Sequence, residues 1–347
     1  MTGSIGYYVH HQGKGHLARA LAIAARDPRL FVLLGTGLAG HTGDVPFLEL
    51  QPDLPDAATW FDAYSRQASS LHYAPLANAG LRHRMATLAG WIEREKPGLI
   101  VCDVSVEIAM LARLTGTPSV YVRLGGERND AAHLEAFRSA RALLAPFHAM
   151  LDDPATLSWV RRKTVYCPGI SARPAAKSAT GNMILVVNGA GGAMLDGDAV
   201  AAAARATPGF QWRAIGPVMP PADSPENLTL PGWVENAEAE IANAALVIGA
   251  AGDGLVSAVI AAGKYFICLP QARPFNEQHS KAGRLQEAGA AIALQAWPPP
   301  DKWPGLIGRA MALDVARLAG LHDPDGANKA FEFLTSCLGH ETAAWPH

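Results

Sequence analysis

The 347-residue chain reads as an α/β protein built from two Rossmann-like parallel-sheet domains. Three observations predict this. Short β-rich runs alternate with Ala- and Leu-rich helical stretches, the pattern of parallel sheets covered on both faces. Glycine-rich turns follow several strands, where a βα unit turns back. The whole pattern restarts once, past a Pro- and Ser-containing stretch near the middle, and roughly 150 residues per domain fits two units in a chain of this length. Apolar residues are 49% and charged residues 17%, which excludes a disordered chain or a coiled coil.

In the first unit, Ile5 to His10 is a strand, Gly13 and Gly15 are a turn, and His16 to Arg26 is a helix. Leu30 to Gly35 is the next strand and Pro46 to Leu50 a third. Leu76 to Lys96 is helical and stops at Pro97. Gly98 to Asp103 is a buried strand ending in an acid, Glu107 to Thr115 a helix, and Thr117 to Leu124 a strand. Pro168 to Gly181 is the boundary. Asn182 to Ala193 then repeats strand, glycine loop and helix start. Short strands follow in Phe210 to Gly216 and Leu228 to Val234. Ala244 to Lys264 is strand, loop and helix, Tyr265 to Pro270 a strand, Arg284 to Ala288 part of a helix, and Ala290 to Leu294 the end of the sheet. Ala327 to Cys337 is a terminal helix.

Composition narrows the function. Lys plus Arg is 29 against 31 Asp plus Glu, with no block of one sign, so nothing points to nucleic acid or a polybasic membrane anchor. Cys102, Cys167, Cys268 and Cys337 lie far apart, without the spacing of a zinc or redox motif, and no metal site is read. The N-terminus lacks the pattern of a signal peptide, and the apolar stretch from Ala244 to Pro270 is interrupted by Gly252-Asp253-Gly254 and Gly263-Lys264, so no membrane helix is expected. A cytoplasmic protein is expected. The lack of a basic amphipathic helix weakens a lipid-linked acceptor but leaves room for peripheral membrane contact.

Ligands of open parallel sheets bind beyond the carboxyl ends of the strands, which selects five segments. In His10 to His16, the glycines let a ligand approach the backbone and His16 stands at a helix start, where a neutral imidazole can take a proton from a hydroxyl. The spacing matches neither a dinucleotide fingerprint nor a Walker loop. Asp103 can orient such a histidine or simply cap the helix after it; the cap is the commoner role. Asn188 to Gly192, with Gly189 and Gly191, leaves room for phosphate against backbone amides, or is a plain turn. Gly252-Asp253-Gly254 can hold a diphosphate at a helix start, though the Asp253 charge would repel it unless turned away. Phe275-Asn276-Glu277-Gln278 offers the donors and acceptors that sugar hydroxyls need, or is a solvated loop. His72, His83, His133 and His148 stand singly and receive no role. Trp60, Phe61, Tyr64, Tyr73 and Trp91 could form a sugar-stacking surface but read better as core.

Taken together, these segments resemble the GT-B glycosyltransferases, most nearly the family 28 type that includes the N-acetylglucosaminyltransferase of the peptidoglycan lipid precursor. Leu230 to Ala293 carries the family's order of strand, glycine loop, Ala-Gly-Lys turn, proline at a strand end and Glu-Gln. Gly13 to Ala22 reads Gly-x-Gly-His-x-x-Arg-x-Leu-Ala, also as in that family. The resemblance covers most of the chain. It implies a metal-independent, inverting transfer from a nucleotide-diphosphate sugar, a UDP-sugar first, to an unidentified acceptor, without a cofactor. It implies an acceptor domain at residues 1–168, a donor domain at 181–322, and a segment at 323–347 crossing back to the first domain. It implies that His16 deprotonates the acceptor with Asp103 as orienting partner, that Gly13, Gly15, Gly189 and Gly191 border the substrates, that Trp233 and Val234 contact the base, that Gly252, Asp253 and Gly254 hold the diphosphate, and that Phe275, Asn276, Glu277 and Gln278 contact the donor sugar. The helix after the second glycine loop usually carries a ribose-binding Glu in that family, and here the position is Ala258. Losing that acceptor costs roughly 1–3 kcal/mol of binding. Two other readings stand beside transfer: a GT-B protein that binds a nucleotide or glycan without turnover, and a nucleotide-sugar epimerase or hydrolase.

Overall fold

The structure, a computed structural model, describes residues 3–11, 14–53, 70–170, 181–189, 191 and 194–338. Gly13, Trp60, Phe61, Tyr64, Ala190 and Gly192 lie outside them.

The first domain is a seven-stranded sheet of β1 (Ile5–Tyr8), β2 (Phe31–Gly35), β3 (Phe47–Glu49), β4 (Leu99–Asp103), β5 (Ser119–Val122), β6 (Ala142–Ala145) and β7 (Thr164–Tyr166), in the order β3-β2-β1-β4-β5-β6-β7. All its pairings are parallel. Its helices are α1 (Lys14–Ala24), α2 (Ala79–Glu95), α3 (Val106–Leu114), α4 (Ala131–Ser139) and α5 (Ser158–Lys163). The second domain is a six-stranded parallel sheet of β8 (Met183–Val187), β9 (Gln211–Ile215), β10 (Leu228–Gly232), β11 (Leu246–Gly249), β12 (Tyr265–Cys268) and β13 (Ile292–Ala293), in the order β10-β9-β8-β11-β12-β13. Its helices are α6 (Gly197–Ala206), α7 (Ala237–Asn243), α8 (Asp253–Ala262), α9 (Glu277–Glu287), α10 (Trp303–Met311) and α11 (Val315–Ala319), and α12 (Gly326–Ser336) follows them. The expected α/β architecture of two parallel sheets is present.

Alternation along the strands sorts the core. Ile5 and Tyr7 point to one face of the first sheet, against Ala20 and Ile23 of α1 and Ala330 and Leu334 of α12. Tyr8 points to the other, with Leu88, Trp91, Ile100 and Phe137. Trp91 is therefore core. Helix α12 packs on α1, so the chain ends its described course against the first domain. Ala145, Phe147 and Leu151 of the first domain join Leu185, Val247, Phe266 and Leu285 of the second in one apolar cluster.

Element limits differ from the sequence reading where caps intervene. Helix α2 begins at Ala79 rather than Leu76, because the Asn78 side chain accepts the Leu81 N–H at 2.7 Å. Helix α9 begins at Glu277 and is longer than the stretch Arg284 to Ala288. The elements α4, β6, α5 and β7 fall between Leu124 and Pro168, where no element was assigned from sequence.

Candidate active site

In each sheet the strand order reverses once, between β1 and β4 and between β8 and β11. Ligand crevices open at the carboxyl ends of strands beside such a reversal. In the first sheet Tyr8 pairs with Cys102, so the loop after β1 and Asp103 at the end of β4 lie side by side.

Asp103 is fully buried there and gathers three partners. Its Oδ1 is 3.0 Å from His16 Nδ1, Arg19 donates from Nη2 at 2.9 and 3.1 Å and from Nε at 3.2 Å, and the Tyr7 hydroxyl donates at 3.2 Å. Burial alone would raise the Asp103 carboxyl, but the Arg19 guanidinium and the neighbouring His16 bring it down to about 2. It is a carboxylate, hence only an acceptor. His16 Nδ1 then carries the proton it donates to Asp103, which leaves Nε2 as the ring nitrogen that can exchange a proton with a substrate. Arg19 Nη2 also lies 3.1 Å from His16 Nδ1, and its hydrogens are used on the carboxylate in this arrangement. Helix α1 supplies both partners, because His16 and Arg19 are three residues apart and share a face. His10 stacks on His11 at 4.8 Å and tilts toward His16 at 5.4 Å. Burial and the neighbouring histidines lower His10 to about 3, so it is neutral near pH 7.

Asp103 does not cap the following helix. Ser105 does, accepting the Ile108 N–H at 3.3 Å. Between them Val104 has φ +57°, a conformation a β-branched residue rarely adopts. Tyr121 donates to the Val104 carbonyl at 2.7 Å and holds the turn.

In the second domain Gly252 is the N-cap of α8, and Asp253 is its first residue. Asp253 is ion-paired with the buried Lys281 of α9. Lys281 was not singled out in the sequence, although it stands four residues after Glu277, which it also meets at 3.6 Å. Burial would raise the Asp253 carboxyl, yet Lys281 and, from the first domain, Arg19 and His16 hold it below the usual range. Asp253, in the first turn of α8, thus stands near enough to Arg19 and His16 of the first domain to feel their charge. Gly189 and Gly191 belong to the loop after β8, where the Gly191 carbonyl accepts from Arg273, whose Nη2 also donates to Gln271 Oε1 at 2.8 Å. Gly15 lies in the first turn of α1, with open space where a Cβ would stand. Gly254 likewise has open space. Trp233 is 66% exposed just beyond β10, whereas Val234 and Ala258 pack against the core of the second domain. Ala258 offers only a half-buried methyl group.

The segment Phe275 to Gln278 is engaged with the first domain. Glu277 accepts from Arg128 Nη2 at 3.1 Å, Asn276 Nδ2 donates to Glu127 Oε1 at 2.8 Å, and the Glu127 N–H donates to the Phe275 carbonyl at 2.7 Å. Phe275 and Asn276 both have positive φ, 59° and 51°. The Arg128 guanidinium lies 4.6 Å from the Phe275 ring centroid. Gln278 is buried, with Oε1 accepting the Gln271 N–H at 2.9 Å and its amide beside Gly252. Sequence reasoning missed Arg128, which precedes Asp130 in a stretch with no motif of its own. Tyr73 is half-buried and donates to the Asp53 carbonyl at 2.6 Å.

Among the described residues no helix is long and apolar enough to cross a membrane. No family model and no curated protein matches the chain. Solved structures do. The glycosyltransferase of kitacinnamycin superposes with a TM-score of 0.72 at 15% identity, over 97% of this chain and 100% of that one. MurG of Acinetobacter baumannii gives 0.64 at 15% identity, over 96% and 99%. The spinosyn rhamnosyltransferase SpnG in complex with thymidine diphosphate gives 0.63 at 16% identity, over 96% of both chains. At such identity the likeness is one of fold: the chain has the two-domain GT-B architecture of these glycosyltransferases.

Proposed function

We propose that this protein is an inverting glycosyltransferase that moves a sugar from a nucleotide-diphosphate sugar to an acceptor hydroxyl. The observation that carries the reading is the His16–Asp103–Arg19 group at the strand-order reversal of the first sheet, its carboxylate and guanidinium buried and its imidazole part-exposed, within electrostatic reach of Asp253 at the start of α8. His16 Nε2 takes the proton of the acceptor hydroxyl as its oxygen attacks the anomeric carbon. The bond from that carbon to the diphosphate breaks, configuration inverts, and the nucleoside diphosphate leaves. Asp103 stabilises the imidazolium that forms, as the orienting acid of a triad does. Arg19 keeps Asp103 ionised in its buried position. Charge growing on the leaving diphosphate is met by the amides and dipole of α8, and the reaction as drawn has no step that requires a metal or cofactor. Lys281 neutralises Asp253, which would otherwise repel that anion. Trp233 is the exposed flat surface on which the base stacks. A neighbouring structure solved with thymidine diphosphate puts dTDP beside UDP among the first candidates.

Binding without turnover is the second reading, favoured by Ala258 alone. Thermal shift of the purified protein against UDP, GDP, CDP and dTDP, with and without attached sugars, tests the donor. A ligand that binds only the folded state raises Tm by mass action. One diphosphate is expected to stabilise clearly, and Trp233→Ala to remove most of that shift. No shift with any of the four would sink the transferase reading. A shift with no transfer or donor cleavage in an acceptor screen would favour the binding protein, and donor cleavage in water alone the hydrolase.

A further inference from the structure

Three side chains that no motif connects meet at the start of α4. Asp130 is the N-cap of that helix and accepts the His133 N–H at 3.1 Å. The cap geometry carries His133 one turn on, with Nδ1 2.6 Å from Asp130 Oδ2. From the other side, Glu107 Oε1 accepts the backbone N–H groups of His72 at 2.7 Å and Tyr73 at 2.8 Å, and this holds His72 Nε2 2.9 Å from Asp130 Oδ1. One nitrogen or oxygen of each side chain lies within 4.8 Å of the other two. Among the described residues no other three histidine, cysteine or acidic side chains gather this closely. His133 is buried, while the side chains of His72 and Asp130 are 26% and 38% exposed, so one side of the group is open.

We propose that His72, Asp130 and His133 form a binding site for a divalent transition metal of the zinc class. Two imidazoles and one carboxylate, with an open fourth position, are the donor set such ions take. The carboxylate now bridges two N–H groups, and the ion would stand in place of those two protons. The backbone bonds from Glu107 and the helix cap fix two of the three ligands before any ion arrives, as supporting contacts around metal ligands do. The same geometry names a competitor. Arg128 Nη1 lies 2.9 Å from His133 Nε2. A metal on Nδ1 requires the His133 proton on Nε2, where it would oppose the guanidinium. Binding therefore turns Arg128 away from His133, toward Glu277, which it already meets. The proposal does not depend on the transferase reading, and no step of the transfer is routed through the ion.

The test uses the full, untagged chain, stripped of metal and dialysed against Zn2+, with Co2+ absorption as a second readout. One zinc per chain is expected. His72→Gln, at a half-exposed position, should weaken binding at least tenfold and abolish the cobalt ligand-field bands without changing Tm. Asp130→Asn keeps a good helix cap and should weaken binding likewise. Arg128→Met should tighten it by threefold or more. Binding below one equivalent would overturn the site. So would wild-type affinity in His72→Gln, which would put the metal on other histidines such as His10, His11 and His16. Unchanged affinity in Arg128→Met would remove the guanidinium as competitor.

Discussion

Asp103 and His16 make different demands on the protein, and substitution separates them. His16→Ala leaves Asp103 still paired with Arg19, so it should cost little stability while lowering transfer by about 10²–10⁴-fold, the usual range for a general base. Diphosphate affinity should stay within a few fold, and unchanged turnover would remove His16 from the base role. Asp103→Asn strips Arg19 of its counter-ion inside the protein. Breaking a buried pair in this way typically costs about 3–5 kcal/mol, so its Tm should fall well below that of His16→Ala. Equal melting temperatures for the two variants would show that Arg19 does not depend on Asp103. Gln278→Ala belongs to the same scale. If Gln278 touches the donor sugar, sugar-nucleotide binding should weaken more than binding of the bare nucleotide. Equal losses would leave it only the bracing role seen between Gln271 and Gly252.

At the scale of elements, the loop after β5 and the loop before α9 determine how the two domains meet. Gly126 has φ +93°, and a Cβ there would stand 2.5 Å from the Phe275 carbonyl oxygen and 2.9 Å from the Glu277 Cα. Only glycine permits both the conformation and the approach. Gly126→Ala should push the Phe275–Gln278 segment away, lowering stability by about 1–3 kcal/mol and weakening sugar-nucleotide binding more than binding of the bare nucleotide. Wild-type melting and binding would mean that this contact carries no weight. The strand-glycine-helix units are visible in the sequence because propensity and turn chemistry act locally. The stretch from Leu124 to Pro168 was not, since no glycine turn punctuates it between Gly126 and Gly169 to mark where its strands end. The helix cap at Asn78 and the cap at Ser105 were also overlooked, because one polar residue before a helix is a weak signal until its hydrogen bond is seen.

For the molecule as a whole, buried neutral histidines set the acid limit. His10 and His133 are each lowered to about 3, first by burial and then by neighbouring positive groups. In the unfolded chain they titrate near 6.5. Between these values the unfolded state binds more protons, so stability falls as pH drops from about 6.5 toward 3. The slope is at most about 1.4 kcal/mol per pH unit for each histidine. Asp103 acts lower: its contribution is intact above its unfolded value of 3.8 and is lost as pH falls from there through about 2. Urea midpoints from pH 7 to 4 should therefore decline, and His10→Phe should flatten the curve. A level profile over that range would contradict the burial of these rings.

The amino-acid sequence by itself determined the alternation of strand and helix, the glycine turns at the strand ends and the restart that makes two sheets. These follow from propensity, periodicity and turn chemistry within a few neighbouring residues. It also marked His16, Asp103 and the Glu277-Gln278 pair as places where chemistry could occur. Only the tertiary structure decided what those residues meet. His16 finds Asp103 across 87 positions because β1 lies beside β4, and Arg128 finds Glu277 across 149 because two loops from different sheets touch. Arg19, Lys281 and the His72–Asp130–His133 group gain their partners the same way. Strand order and domain contact are settled by which apolar faces bury one another over the whole chain, and no local stretch of sequence carries that information.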